Sequence, residues 1–211
     1  MDVSGAADTV GMDERLPKID EVISTVFGEA SGLSTGVKRR RTVQVENDLR
    51  AFIEAEADRY LTEDERTILA AEQEFDPNGA ACRALEAEVL FVALVGFITP
   101  PHLMPDLLFR RVQLDLVDAL VGYVAYEVLR GYDSSSIRMD LRRALVRARH
   151  QLKRERADQS WAREVARMTP AQREAVEHAE RGIEKHFAAR RASAAQQPTA
   201  DADSSHDGRT D

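Results

Sequence analysis

The run Val89-Leu90-Phe91-Val92-Ala93-Leu94-Val95-Gly96-Phe97-Ile98-Thr99-Pro100-Pro101-His102-Leu103-Met104-Pro105 decides the fold, because it holds 17 consecutive positions without a charge. A membrane-spanning helix needs roughly 20 predominantly apolar residues, and here the double proline ends helical structure after about ten of them. The run therefore predicts a buried helix from about Ala80 to just before Pro100-Pro101, with its second half apolar on every side. A partner follows from about Asp106 to Leu129. On it Arg111, Asp115, Asp118 and Gly122 share one narrow stripe, while Leu107, Val112, Leu116, Val117, Leu120, Val121, Tyr123 and Val124 fill most of the remaining circumference. Such a pair reads as a buried helical hairpin, part of which could be a contact between copies of the chain. A membrane-associated hairpin over residues 85–130 is the weaker alternative.

Working outward, the flanking segments are helical too. Leu16, Ile19, Val22, Ile23, Val26 and Phe27 fall at helical spacing, with Pro17 suited to a first turn and Gly28 or Ser31-Gly32 to its end. A Gly/Ser/Thr stretch ending in Lys38-Arg39-Arg40-Arg41 reads as a linker or exposed loop, and Thr42-Val43-Gln44-Val45 as a possible short strand. Gly28 to Arg39 also carries a weak likeness to the turn and recognition-helix start of a helix-turn-helix, with Gly36 inside the second helix at a cost of about 1 kcal/mol relative to alanine. Leu49, Phe52, Ile53 and Tyr60-Leu61 mark the next helix. Thr62-Glu63-Asp64-Glu65 has capping-box spacing, and Asp76-Pro77-Asn78-Gly79 is a break. Serines 134–136 can cap a helix from Ile137 to about Arg156, and Thr169-Pro170-Ala171-Gln172 starts a last one. The expected architecture is all-α, with six or seven helices around the central hairpin.

The ends differ from the middle. After Phe187 no large apolar residue occurs, so residues 192–211 are expected to be a disordered acidic tail and residues 1–11 a disordered N-terminus. Residues 12–36 form a short amphipathic helix and linker, and residues 37–191 the helical domain. The N-terminus lacks the basic start and apolar run of a secretory signal, which points to a cytoplasmic protein.

The 211 residues carry a formal charge of −8, which argues against a protein coated all over with nucleic acid. By segment the charge is polarised: residues 44–108 hold 14 acids against 4 arginines, while residues 137–168 hold 10 basic residues against 4 acidic ones. Blocks of opposite sign suggest first that the basic helix packs beside the acidic helices. Its wheel divides the arginines. Ile137, Leu141, Ala144, Leu145, Ala148 and Leu152 make an apolar stripe, beside which Arg138, Arg142, Arg149, Lys153 and Arg156 can reach neighbours. Arg143, Arg147 and Arg154 lie opposite the core, where no intramolecular partner is expected. With Lys38, Arg39, Arg40 and Arg41 they are the candidates for contacting nucleic acid or another anionic partner.

Little in the chain nominates catalysis. The lone Cys82 excludes an intrachain disulfide and a multi-cysteine zinc site, and its sequence neighbours offer nothing to activate it. His102, His150, His178, His186 and His206 form no His-Glu-x-x-His or Glu-x-x-His pattern. The Glu174–His178 pair supplies at most two ligands, and glycine-rich phosphate loops are absent. Glu127 falls on the apolar side of its helix, where a buried carboxylate would have a raised pKa, although a last-turn glutamate more often reaches a cation such as Arg130. No catalytic, cofactor or metal residue is assigned. The reading is a non-enzymatic helical interaction protein, regulatory or scaffolding, that self-associates through part of the hairpin or the helices from Trp161 to Phe187. The alternatives are a nucleic-acid-binding regulator using residues 137–156 and 38–41, and a membrane-associated protein.

Overall fold

The computed structural model describes residues 15–130, 132 and 134–195. The order is α1 (Ile19–Gly32), α2 (Gly36–Glu56), a 3-10 turn (Ala57–Tyr60), α3 (Glu63–Phe75), α4 (Ala80–Ala84), α5 (Ala87–Phe97), α6 (Leu107–Tyr123) running into a π turn (Val124–Val128), α7 (Ser135–Arg167) and α8 (Pro170–Ala195). The fold is all-α, with eight α-helices among the described residues rather than six or seven. Most of the expected 192–211 tail and all of residues 1–11 lie outside the described residues, and Ala192 to Ala195 continue α8.

The local signals worked where a side chain could satisfy a helix end. Thr62 and Glu65 form the capping box of α3, with Thr62 N donating to Glu65 Oε2 at 2.8 Å and Glu65 N to Thr62 Oγ1 at 3.4 Å. Asp106 caps α6, its Oδ1 accepting from Leu108 N at 2.8 Å and Phe109 N at 2.9 Å. Thr169 and Gln172 do the same for α8. Gly79 turns the chain between α3 and α4 at φ +74°, a left-handed conformation that favours glycine.

Two expectations are corrected. The helix expected from Ala80 to Pro100 is broken at Leu85-Glu86, because the chain there extends to pair with the segment before α1. Ile19 N donates to Leu85 O and Ala87 N to Pro17 O, each at 3.0 Å, and Lys18 Nζ donates to Ala84 O at 2.6 Å. This single antiparallel bridge is the whole of the extended pairing among the described residues. The second correction concerns residues 36–45, which are neither loop nor strand but the start of α2. Thr42, Val45, Leu49, Phe52 and Ile53 form one buried face, and its burial carries the helix back through Lys38-Arg41 to Gly36, which opens it at φ +55°. A second helix packed against α1, α4, α5 and α6 is a core element.

The described residues divide after Arg156 into two units. In the first, α1 and α2 each pack against both α5 and α6. Val89, Leu90, Phe91, Ala93, Leu94 and Phe97 of α5 and Leu114, Val117 and Leu120 of α6 are buried in a single core. Gln113, fully buried, ties the connection between α5 and α6: Met104 N donates to its Oε1 at 3.0 Å, and its Nε2 donates to Phe97 O at 2.9 Å and His102 O at 3.1 Å. The second unit holds the end of α7 and α8. Among residues 157–193 no side chain is buried, and Val165, Met168 and Val176 are half-buried.

Candidate interaction surfaces

The wheel of α7 holds in three dimensions. Leu141, Ala144, Leu145, Ala148 and Leu152 are buried in the core, and Arg143, Arg147 and Arg154 are exposed. Arg147 and Arg154 make no ion pair among the described residues. Arg143, expected to lack a partner, has one: its Nη1 lies 3.7 Å from Asp140 one turn earlier, with both side chains about two-thirds exposed. A pair so open to water contributes little.

The neighbours of the other α7 cations differ from those expected. None of the helix's ion pairs reaches the acidic block 44–108 among the described residues; apart from Arg143–Asp140 within α7, they go to α6. Arg149 Nη2 lies 2.9 Å from Asp118 and 3.6 Å from Asp115. Arg142 donates to Tyr126 Oη at 3.1 Å, Arg138 sits 5.9 Å over the Tyr126 ring, and Arg156 donates to Leu107 O at 3.4 Å. Carboxylates of the acidic block are answered by its own arginines: Arg66 meets Asp58 and Glu63, and Arg83 meets Glu72 and Asp76. Sequence blocks of charge therefore misled, because i,i+3 and i,i+4 neighbours and the nearest packed helix are closer than any distant block.

Lys38, Arg39 and Arg40 are exposed on the first turns of α2. Arg41 is not a free contact residue. Its guanidinium carbon lies 5.5 Å over the ring of Phe109 and its Nε is buried with no hydrogen-bond partner. Arg41 on Phe109 and Arg156 on Leu107 O bring the basic run and the basic helix to the same first turn of α6, a juxtaposition that no sequence spacing reveals.

In the second unit, Trp161 and Val165 on α7 and Met168 just past its end recur at helical spacing, as do Val176, Ile183 and Phe187 on α8. Trp161 is 44 % exposed, Ile183 57 % and Phe187 52 %. The α8 stripe is flanked by five cations and four carboxylates between Arg173 and Arg191, which nearly balance.

Cys82 is buried, and burial followed by the nearby Glu54 carboxylate pushes its thiol up to about 12. Glu54 spends its oxygens on the start of α4, accepting from Ala81 N and Cys82 N at 3.2 Å each. His102 is half-buried with its ring edge-on to Phe52 at 4.7 Å. Glu127 is exposed in the π turn rather than buried, because the helix rewinds there and turns that position outward. Glu174 and His178 are both exposed, and among the described residues no group of three or more His, Cys, Asp or Glu side chains could hold a metal ion. No described helix is long and apolar enough to cross a membrane. No protein-family model, no curated protein and no solved structure matches the chain.

Proposed function

We propose that the chain is a non-enzymatic helical interaction protein, regulatory or scaffolding, that associates with a second copy of itself through the apolar stripes of residues 161–187. The observation that carries this reading is the exposure of Trp161, Ile183 and Phe187 along residues 157–193, a stretch in which no side chain is buried. Helices are stabilised in proteins chiefly by burying an apolar face, and α8 has none buried among the described residues. A second copy presents the same stripe, and the near-balanced charges beside it on α8 let like approach like. Light scattering coupled to size exclusion over the micromolar range tests the reading. The expected result is a dimer or larger species that Ile183→Glu and Phe187→Glu convert to monomer; a wild-type monomer throughout overturns it.

A second reading, a regulator that contacts nucleic acid, is favoured by Arg147 and Arg154, which are exposed and make no ion pair among the described residues. Affinity for duplex DNA should then fall linearly in log–log form with salt, by a slope of about 0.9 per phosphate neutralised. Replacing Arg143, Arg147 and Arg154 together by alanine should flatten that slope. An unchanged slope removes this reading.

A further inference from the structure

A cleft of about 570 Å³ opens in the first unit between the 3-10 turn, α5 and the first half of α7. Its chemistry is divided. Val92 and Val95 of α5 and Ile137 of α7 are half-buried and form an apolar floor, whereas Arg143, Arg147, Asp140 and Tyr60 stand around it. Val92 and Val95 sit on the apolar run that decides the fold, and here the helical part of that run is incompletely covered. The close approach of Tyr60 is built in: a Cβ on Gly96 would lie 2.9 Å from Tyr60 Oη and 3.1 Å from Phe52 Cζ, so glycine lets the phenol lie against α5.

The charges around the floor do not cancel. Asp140 answers Arg143 loosely, at 3.7 Å, and Arg147 has no carboxylate within ion-pair distance among the described residues. The Tyr60 hydroxyl makes no hydrogen bond there either. The cleft thus offers apolar surface, one uncompensated guanidinium and a phenol, within the size range of small-molecule sites. Guanidinium pairs with a carboxylate or phosphate through two parallel hydrogen bonds, and an apolar body is drawn to the valine and isoleucine floor.

We propose that this cleft binds a small amphipathic anion, an apolar chain or ring bearing one carboxylate or phosphate head group, with Arg147 on the head group, Tyr60 as a further donor and Val92, Val95 and Ile137 against the body. Arg147 is the specificity residue, because its guanidinium, unlike that of Arg143, has no carboxylate within ion-pair distance among the described residues and so favours an anion over a neutral molecule of the same length. The site goes beyond the self-association reading and does not depend on it, since binding is counted per chain.

Calorimetric titration of the full chain with decanoate, decyl phosphate and decanol, each below its micelle concentration, tests the proposal. Decanoate or decyl phosphate, or both, should saturate at one per chain and bind more tightly than decanol, and the preference between them identifies the head group. Arg147→Gln, an exposed substitution that leaves the core untouched, should weaken the anions roughly tenfold and leave decanol unchanged. Val95→Trp should fill the floor and abolish binding of all three, with Val92→Trp as the second variant if the first does not fold. Anion binding that is insensitive to Arg147→Gln, a preference for decanol, or no saturable binding of either anion would overturn the proposal.

Discussion

Arg110 on α6 and Glu155 on α7 form a hydrogen-bonded ion pair, Nη1 to Oε2 at 2.6 Å, in which the arginine side chain is only 10 % exposed and the glutamate 34 %. The same guanidinium donates through Nε to Met104 O at 2.7 Å, and Gln151 Nε2 donates to Glu155 Oε1 at 2.8 Å. The pair joins α7 to the loop that closes the α5–α6 connection. It was invisible in the helical wheel, which sorts residues by face and says nothing of which helix will lie opposite.

Removing the carboxylate should therefore cost more than removing the guanidinium. Glu155→Leu leaves a nearly buried cation unpaired, whereas Arg110→Met leaves a carboxylate that water already reaches. Urea denaturation should show Glu155→Leu destabilising by about 2–3 kcal/mol, Arg110→Met by about 1–2 kcal/mol, and the double variant by less than the sum. The reverse order, or strict additivity, would contradict the assigned burial.

Gln113 should be among the most sensitive polar positions of the chain. Gln113→Leu keeps the volume but strands Met104 N and the carbonyls of Phe97 and His102 inside the protein. A loss of about 2–4 kcal/mol is expected by chemical denaturation, since each stranded buried group costs about 1–3 kcal/mol before relaxation. A loss below 0.5 kcal/mol, on the order of an ordinary surface substitution, would mean that these backbone groups find other partners.

The Cys82 thiol should resist labelling. Its pKa is raised from 9.0 to about 12, so the folded state holds the proton more tightly than the unfolded chain. Its contribution to stability is complete below about pH 9 and is lost as the pH rises toward 12. Reaction with a thiol reagent at pH 8 should be slow in the native protein and fast in denaturant. Cys82→Ala should flatten the alkaline limb of stability against pH; a native thiol that reacts at the rate of a free peptide would refute the burial.

Asp106 supplies a pH dependence of the opposite sign. The Phe109 and Leu108 amides hold its carboxylate below the ordinary range, with Arg41 adding to the effect. Its contribution is present above the unfolded carboxylate pKa and is lost as the pH falls through the depressed folded value. Asp106→Asn keeps a capping acceptor without the charge, so its stability relative to wild type should improve on acidification. A constant difference from pH 7 to about pH 3 would show that the charge plays no part.

The helices were legible wherever one apolar face repeats at helical spacing and a side chain closes the end, as at Val22 and Val26, at Thr62 with Glu65, and at Thr169 with Gln172. Lys38-Arg41 was misread because the residues that make it helical, Val45 and Leu49, lie beyond it and act by burial. The break at Leu85-Glu86 was hidden because its cause, the carbonyl of Pro17, is nearly 70 residues away. For the candidate surfaces, the wheel rightly separated Arg143, Arg147 and Arg154 from the core. It could not see that Asp140 answers Arg143, that Arg41 rests on Phe109, or that Arg147 overhangs a cleft floored by Val92 and Val95.

The order of side chains by itself determined that the chain is helical, where most helices begin, and that the helix within residues 89–98 is too short to cross a membrane, because spacing, capping and proline act over one or two turns. Only the tertiary structure decided which face of each helix is covered and by what. Burial and ion pairing depend on the nearest packed surface, so Arg110 found Glu155, Arg149 found Asp118, and Arg147, Ile183 and Phe187 were left facing solvent.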